Sequence, residues 1–195
     1  GVIGGLFYGF AVSQPADAGT GAASALVVIL CLCAGVALIG GAGVSFGIAL
    51  ARQQWDRGWL PTLAGGAVGG LAIGAIVKMI ASDTLNLLFG HAPPGITGAV
   101  EGTALGLAAG LALCLTERGP LSRRGAAAIG GALGGVAGLL LALAGGRLMA
   151  GSLDLFARTY PDSRLRLEQL SAIFGDDSFG RTSLLFANLL EGALF

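Results

Sequence analysis

The sequence predicts an all-α fold, a polytopic membrane helix bundle of about six segments. Of its 195 residues, 54% are hydrophobic and 11% are charged, whereas about a quarter of a soluble domain is charged. No charged residue lies between Asp17 and Arg52, between Arg57 and Lys78, or between Arg124 and Arg147. Each gap can supply the roughly 20 apolar residues that cross a hydrocarbon core as a helix. The runs lack the alternation of barrel strands.

Turn residues and polar stretches divide the chain into these segments. The opening GVIGGLFYGF and the closing LLFANLLEGALF break off in mid-pattern, so we expect both to continue in a longer protein. The predicted helices cover about 1–12, 22–50, 60–81, 96–116, 125–150 and 183–195.

The basic residues predict an orientation. Arg52 and Arg57 lie in one short loop, and Arg118, Arg123 and Arg124 lie in another. With strictly alternating helices both loops fall on one side, which the positive-inside rule makes cytoplasmic. We therefore expect an integral protein of a bacterial inner membrane, with both ends of the chain toward the cytoplasm.

A polar stretch at about 151–182 falls on the opposite side. Within it, SRLRLEQLSAIFG follows YPD, a helix start signal. Leu167, Leu170, Ile173 and Phe174 share one face of that helix. We expect an extracytoplasmic amphipathic helix that lies on the membrane surface or covers the bundle.

Similar strings recur in the same order and predict two hairpin repeats. AGGAVGGLAIG at 64–74 matches AIGGALGGVAG at 128–138, TLNLLF matches SLDLFA, and TGAVEGTALG resembles FANLLEGALF. Each unit reads as a glycine-rich helix, a basic residue, an outer turn and a returning helix that opens with Glu-Gly. The two units have the same topology, which predicts an axis along the membrane normal. The chain divides into N-terminal membrane helices at 1–59, repeat one at 60–124 and repeat two at 125–195.

Glycines recur four residues apart along these helices. Apolar helices in lipid associate through close packing, and small residues at this spacing let two backbones approach. Such strips either hold one bundle together or face another subunit or a narrow pore, and the spacing does not choose between these. The candidate packing residues are Gly66, Gly70, Gly74, Gly102, Gly106, Gly110, Gly130, Gly134 and Gly138.

This glycine spacing at 64–138 resembles that of the translocase-of-the-inner-membrane family of protein-translocation subunits, which are also glycine-rich four-helix membrane bundles. The longer signature of that family is absent from the chain. Neither its function nor its residues are carried over.

Four ionisable residues lie inside predicted spanning segments, where charges are costly and mark function by default. Lys78 and Glu101 can pair across the first hairpin, and Arg147 and Glu191 across the second. The alternative is that the basic side chains snorkel to the interface and the glutamates cap helix starts.

Other residues carry less weight. We interpret Trp55 and Trp59 as interface anchors, His91 as a solvated loop residue, and Cys31, Cys33 and Cys114 as packing residues. The GG-x-x-GG strings follow no strand, so they do not bind a nucleotide. No catalytic, cofactor or metal site is predicted, and equal numbers of basic and acidic residues, 11 each, give no support to nucleic-acid binding.

Two functions remain open. The first is a bundle that forms or gates a passage, like a channel or transporter, as an oligomer or as part of a larger protein. The second is a non-conducting membrane anchor or assembly subunit that grips other membrane subunits. Both have membrane lipid as a partner.

Overall fold

A computed structural model describes residues 3, 6, 21–55, 58–93, 95, 98–119, 121–160 and 179–195 of the chain. Ile3 and Leu6 are helical, and the described residues contain no strand. The remaining described helices are α1 (Gly21–Gln54), α2 (Trp59–Phe89), α3 (Ala99–Thr116), α4 (Arg123–Leu143), α5 (Met149–Thr159) and α6 (Arg181–Leu194).

Four helices are long and apolar enough to cross a membrane. They are Leu30–Gln54 within α1, and the whole of α2, α3 and α4. Large apolar side chains such as Phe46, Val68 and Leu140 are exposed on their outer surfaces, as lipid-facing residues should be. The prediction of an all-helical membrane protein is confirmed at this level.

Helix α2 is longer than the sequence predicted, because it ends at Phe89 and not near residue 81. The stretch SDTLNLLF, expected in an outer loop, continues the helix. It ends where Gly90 adopts φ 78° and its N–H bonds to the carbonyl of Asn86, a left-handed cap that suits glycine. At about 1.5 Å per residue α2 is ~46 Å long, so it extends beyond a hydrocarbon core.

The predicted helix at 125–150 is two helices. Helix α4 ends at Leu143, Gly145 adopts φ 85°, and the N–H of Gly146 bonds to Leu141 O at 2.8 Å. The chain turns there, and α5 starts at Met149. Helix α5 occupies part of the predicted polar stretch, while the predicted amphipathic helix after YPD lies outside the described residues.

The helices pack in a row that closes into a ring. Helix α1 packs on α2, α2 on α3, α3 on α4, and α4 on α6, while α5 lies against α6. Side chains close the ring between α1 and α6, because a Cβ atom on Gly40 would lie 3.3 Å from Cε2 of Phe195. Cys33 of α1 also shares a buried cluster with Ala150 and Ala187.

An ion pair places the two basic loops at the same end of this ring. Arg52 Nη1 donates to Glu117 Oε1 at 2.8 Å, and Arg52 Nη2 donates to Glu117 Oε2 at 2.6 Å. These residues end α1 and follow α3, so the loops after both helices meet there. That arrangement is compatible with the alternating topology, which stays a prediction.

Candidate functional site

Glycines bring the backbones of α2 and α3 into contact. A Cβ atom on Gly66 would overlap the carbonyl oxygen of Gly106, and a Cβ atom on Gly70 would overlap that of Gly102. Further along, Gly74 meets Gly98 in the same way, and Gly110 meets Thr62. The two helices are therefore antiparallel and in register along four consecutive contacts.

A second glycine face of α2 packs on α1. A Cβ atom on Gly69 would lie 2.5 Å from Gly43 O, and one on Gly65 would lie 2.5 Å from Gly47 O. In each glycine pair of GG-x-x-GG, the first glycine therefore contacts α1 and the second contacts α3. The paired glycines in the sequence indicate this second contact face, but the predicted packing residues on α2 included only the face toward α3.

Helix α4 uses its glycines against α6. A Cβ atom on Gly134 would overlap Gly192 O, and one on Gly138 would overlap Asn188 O. By contrast, a Cβ atom on Gly130 would have no other heavy atom within 4 Å. Two of the three predicted positions on α4 are thus internal contacts, and the third is open.

Lys78 and Glu101 are not joined by an ion pair in the described part of the chain. Because Gly70 lies against Gly102 and Gly74 against Gly98, Glu101 is level with about Leu71 and roughly 10 Å deeper than Lys78. The Glu101 carboxylate instead accepts a 2.9 Å hydrogen bond from the Gly98 N–H at the start of its own helix. The side chain of Lys78 is exposed, and its stem lies over Gly98.

Glu191 holds the start of a different helix. Its Oε2 accepts from the Met149 N–H at 2.6 Å, and its Oε1 accepts from the Ala150 N–H at 2.7 Å. These are two of the backbone donors that the first turn of α5 leaves without a helical partner. A carboxylate also suits the positive end of the helix dipole.

Asn188 completes this contact one turn earlier on α6. It is fully buried, accepts from the Leu148 N–H at 3.3 Å, and donates to the Gly146 carbonyl at 3.3 Å. Asn188 and Glu191 together hold the turn between α4 and α5 from one face of α6. Sequence reasoning missed Asn188 altogether.

The two Glu-Gly pairs occupy different places in their helices. Glu101 lies in the first turn of α3, whereas Glu191 lies in the last turn of α6, which begins at Arg181. Glu191 therefore does not open the helix that contains it. The repeat itself stays a prediction.

Arg147 lies in the turn before α5. Its Nη1 would be 3.3 Å from a Cβ atom on Gly95, and its stem packs on Gly151. Its guanidinium thus reaches the loop that follows α2.

Aromatic residues join the C-terminal ends of α2 and α5. The rings of Phe89 and Tyr160 have centroids 4.5 Å apart, and those of Phe156 and Tyr160 have centroids 4.8 Å apart. The Tyr160 hydroxyl donates to the His91 carbonyl, so the backbone at His91 is tied to α5. At the opposite end, Trp55 and Trp59 are 61% and 57% exposed, a position that suits interface anchors.

A cavity of about 380 Å³ lies between the helices and is partly open to the surface, and its wall is almost wholly apolar. Glu191 and Ser152 are the polar side chains in that wall. Helices α1, α2, α3, α5 and α6 all contribute to the lining, which includes Ala37, Gly40, Ile73, Val77, Gly98 and Leu105.

The four long apolar helices and this cavity define the class as a helical membrane protein with a partly open apolar cavity between its helices. The chain matches no known protein family, no curated protein and no solved structure. Among the residues that the structure describes, no group of three or more His, Cys, Asp or Glu side chains is placed to hold a metal ion.

Proposed function

We propose that the chain is a transporter-like membrane bundle whose central cavity binds a hydrophobic or amphiphilic molecule and gives it a passage between the helices. The observation that carries this proposal is the apolar cavity of about 380 Å³ in the ring of helices. Ligand cavities of this kind are mainly apolar with a few polar groups, and Glu191 and Ser152 are such groups here.

Close packing limits where the passage runs. The α1–α2, α2–α3 and α4–α6 contacts are backbone to backbone, so they leave no room for a solute. Between α1 and α6 the contact includes the side chain of Phe195 against Gly40, and a side chain can change rotamer. Helix α4 also packs on α3, but it contributes no residue to the cavity wall. We therefore place the opening of the cavity between α1 and α6.

The interrupted helix supports the same function. Transporter binding sites are commonly built where membrane helices are discontinuous and a half-helix N-terminus faces the site. Here α4 ends at Leu143, α5 begins at Met149, and Met149 and Glu191 line the cavity. The bundle functions as an oligomer or as part of a larger protein, with its basic loops and both ends toward the cytoplasm.

Flux measurements in proteoliposomes test this proposal. We expect the protein to accelerate the movement of a fluorescent single-chain amphiphile but not of K⁺ or a water-soluble dye, because an apolar constriction excludes water. Ala37→Phe, which fills the cavity, should reduce amphiphile movement at least tenfold. Ala42→Phe on the exposed face of α1 is the matched control and should not reduce it. No movement above empty liposomes, or an equal effect of the two variants, would overturn the proposal.

The open position on α4 supports the second candidate, an anchor or assembly subunit that binds other membrane helices. Gly130 has no heavy atom near a Cβ position, so Gly130→Leu leaves the bundle itself intact. If this face binds a partner, Gly130→Leu should abolish co-purification of another membrane subunit. The exposed Ala132→Leu on the same helix is the control. Unchanged co-purification with Gly130→Leu would remove the basis of the anchor function.

A further inference from the structure

The cavity wall determines which occupant it accepts. A cavity holds water only where the water finds two to four polar partners, and this wall is almost wholly apolar. One of the two polar side chains, Glu191, already accepts hydrogen bonds from Met149 and Ala150. Hydrocarbon is therefore a better occupant than water or a hydrated ion.

The volume matches a single hydrocarbon chain. A methylene group fills about as much space as a water molecule in the liquid, ~30 Å³. The 380 Å³ of the cavity therefore holds on the order of a dozen methylene groups, which is most of one acyl chain and less than two.

Lys78 lies beside the cavity at the level where lipid phosphates are found. It follows Trp59 by about 19 residues along α2, a rise of ~28 Å, which is close to the ~30 Å of a hydrocarbon core. With Trp59 at one interface, the Lys78 ammonium lies at the other. Its stem packs on Gly98, which lines the cavity.

The charge of Lys78 is available for an anionic group. Its side chain is exposed, and it has no hydrogen bond or ion pair to any of the described residues. Glu101, the partner predicted from the sequence, lies roughly 10 Å deeper and bonds to Gly98. An anionic head group at this interface complements the ammonium.

We propose that the cavity binds one acyl chain of an anionic membrane phospholipid, with the lipid phosphate at Lys78. This inference rests on the proposed function, because it names the class of amphiphile that the same cavity accepts. The acyl chain of the lipid lies between α1 and α6, and the lipid head group stays at the membrane interface beside α2 and the start of α3.

Native mass spectrometry of the protein in a neutral detergent tests the site. The probes are dioleoyl phosphatidylglycerol and dioleoyl phosphatidylcholine, which have the same chains and differ in head-group charge. The unsubstituted protein should bind the anionic lipid about fivefold more tightly, the size expected of one lysine at an anionic surface. Lys78→Gln should remove that preference, while Arg124→Gln in the exposed first turn of α4, at the opposite end of the bundle, should keep it.

Cavity-filling variants decide whether the lipid is inside. Ala37→Phe should weaken binding of both lipids at least tenfold, and Ala42→Phe should not weaken either. Lipid retained by Ala37→Phe, an unchanged preference in Lys78→Gln, or tighter binding of free oleate than of phosphatidylglycerol would each overturn the proposal. If amphiphile flux persists but the protein shows no preference for the anionic lipid, only this inference is wrong. If the protein binds the lipid but shows no flux, the proposed function is wrong and the lipid-binding site is still supported.

Discussion

Gly134→Ala should lower the free energy of unfolding by about 3 kcal/mol, whereas Gly130→Ala should leave it unchanged or raise it by up to about 1 kcal/mol. An alanine Cβ at Gly134 would overlap the carbonyl oxygen of Gly192, which belongs to the backbone and cannot rotate away. The helices must separate, and overpacking of this kind costs about 1–3 kcal/mol or more. At Gly130 a Cβ atom meets nothing within 4 Å, and alanine favours the helix by about 1 kcal/mol.

The pair is a matched comparison, because both positions lie on one face of α4, four residues apart, and receive the same methyl group. Unfolding in detergent, followed by circular dichroism against denaturant, gives the two free energies. Gly70→Ala, which would overlap Gly102 O, should behave like Gly134→Ala, and Gly41→Ala, with open space, like Gly130→Ala. If both members of a pair change stability equally, the glycines act through helix propensity and not through helix contact.

The spanning helices could be predicted because their signal is local. The long runs without charged residues identify α1 to α4. The four-residue spacing of the glycines identifies the helix face on which Gly70 and Gly102 meet. Each of these features depends on residues within one helix. Antiparallel register then follows for neighbours that a short loop connects.

The helix ends were harder to predict because polar residues do not stop a helix. The predicted helix ended near residue 81, just before the polar residues Ser82, Asp83 and Asn86, yet α2 continues through them to Phe89. Conversely, Gly145 and Gly146 resemble the glycines inside the helices, but here they form the turn after α4. Glycine doublets thus occur both inside helices and in this turn, so the local sequence does not distinguish the two. Tertiary contacts decide where the helix ends.

The site depends on contacts that no local pattern records. Glu191 bonds to backbone N–H groups about 41 residues earlier, and no pattern within its own helix indicates that contact. The contacts of Asn188 could not be predicted, since a single amide side chain in an apolar helix can bond to many different groups. The cavity requires five helices to be placed together, so it had no sequence signature.

Glu191→Ala should lower the free energy of unfolding by about 4 kcal/mol and release the first turn of α5. The substitution leaves the N–H groups of Met149 and Ala150 without their acceptor, and a hydrogen bond to a charged group contributes about 1.5–3 kcal/mol. Glu191→Gln keeps one acceptor oxygen and turns an amide donor toward the other N–H. It should therefore cost about half as much.

Hydrogen exchange separates this role from a general loss of stability. In Glu191→Gln the amides of Met149 and Ala150 should exchange faster than those of α2, because only the turn between α4 and α5 loses its support. Glu101→Gln is the control, since Glu101 caps the start of α3 through Gly98 and loss of a cap costs about 1 kcal/mol. It should speed exchange at Gly98 and leave Met149 and Ala150 protected. If the two variants affect the same amides, Glu191 does not hold α5, and the wall of the cavity is positioned by packing alone.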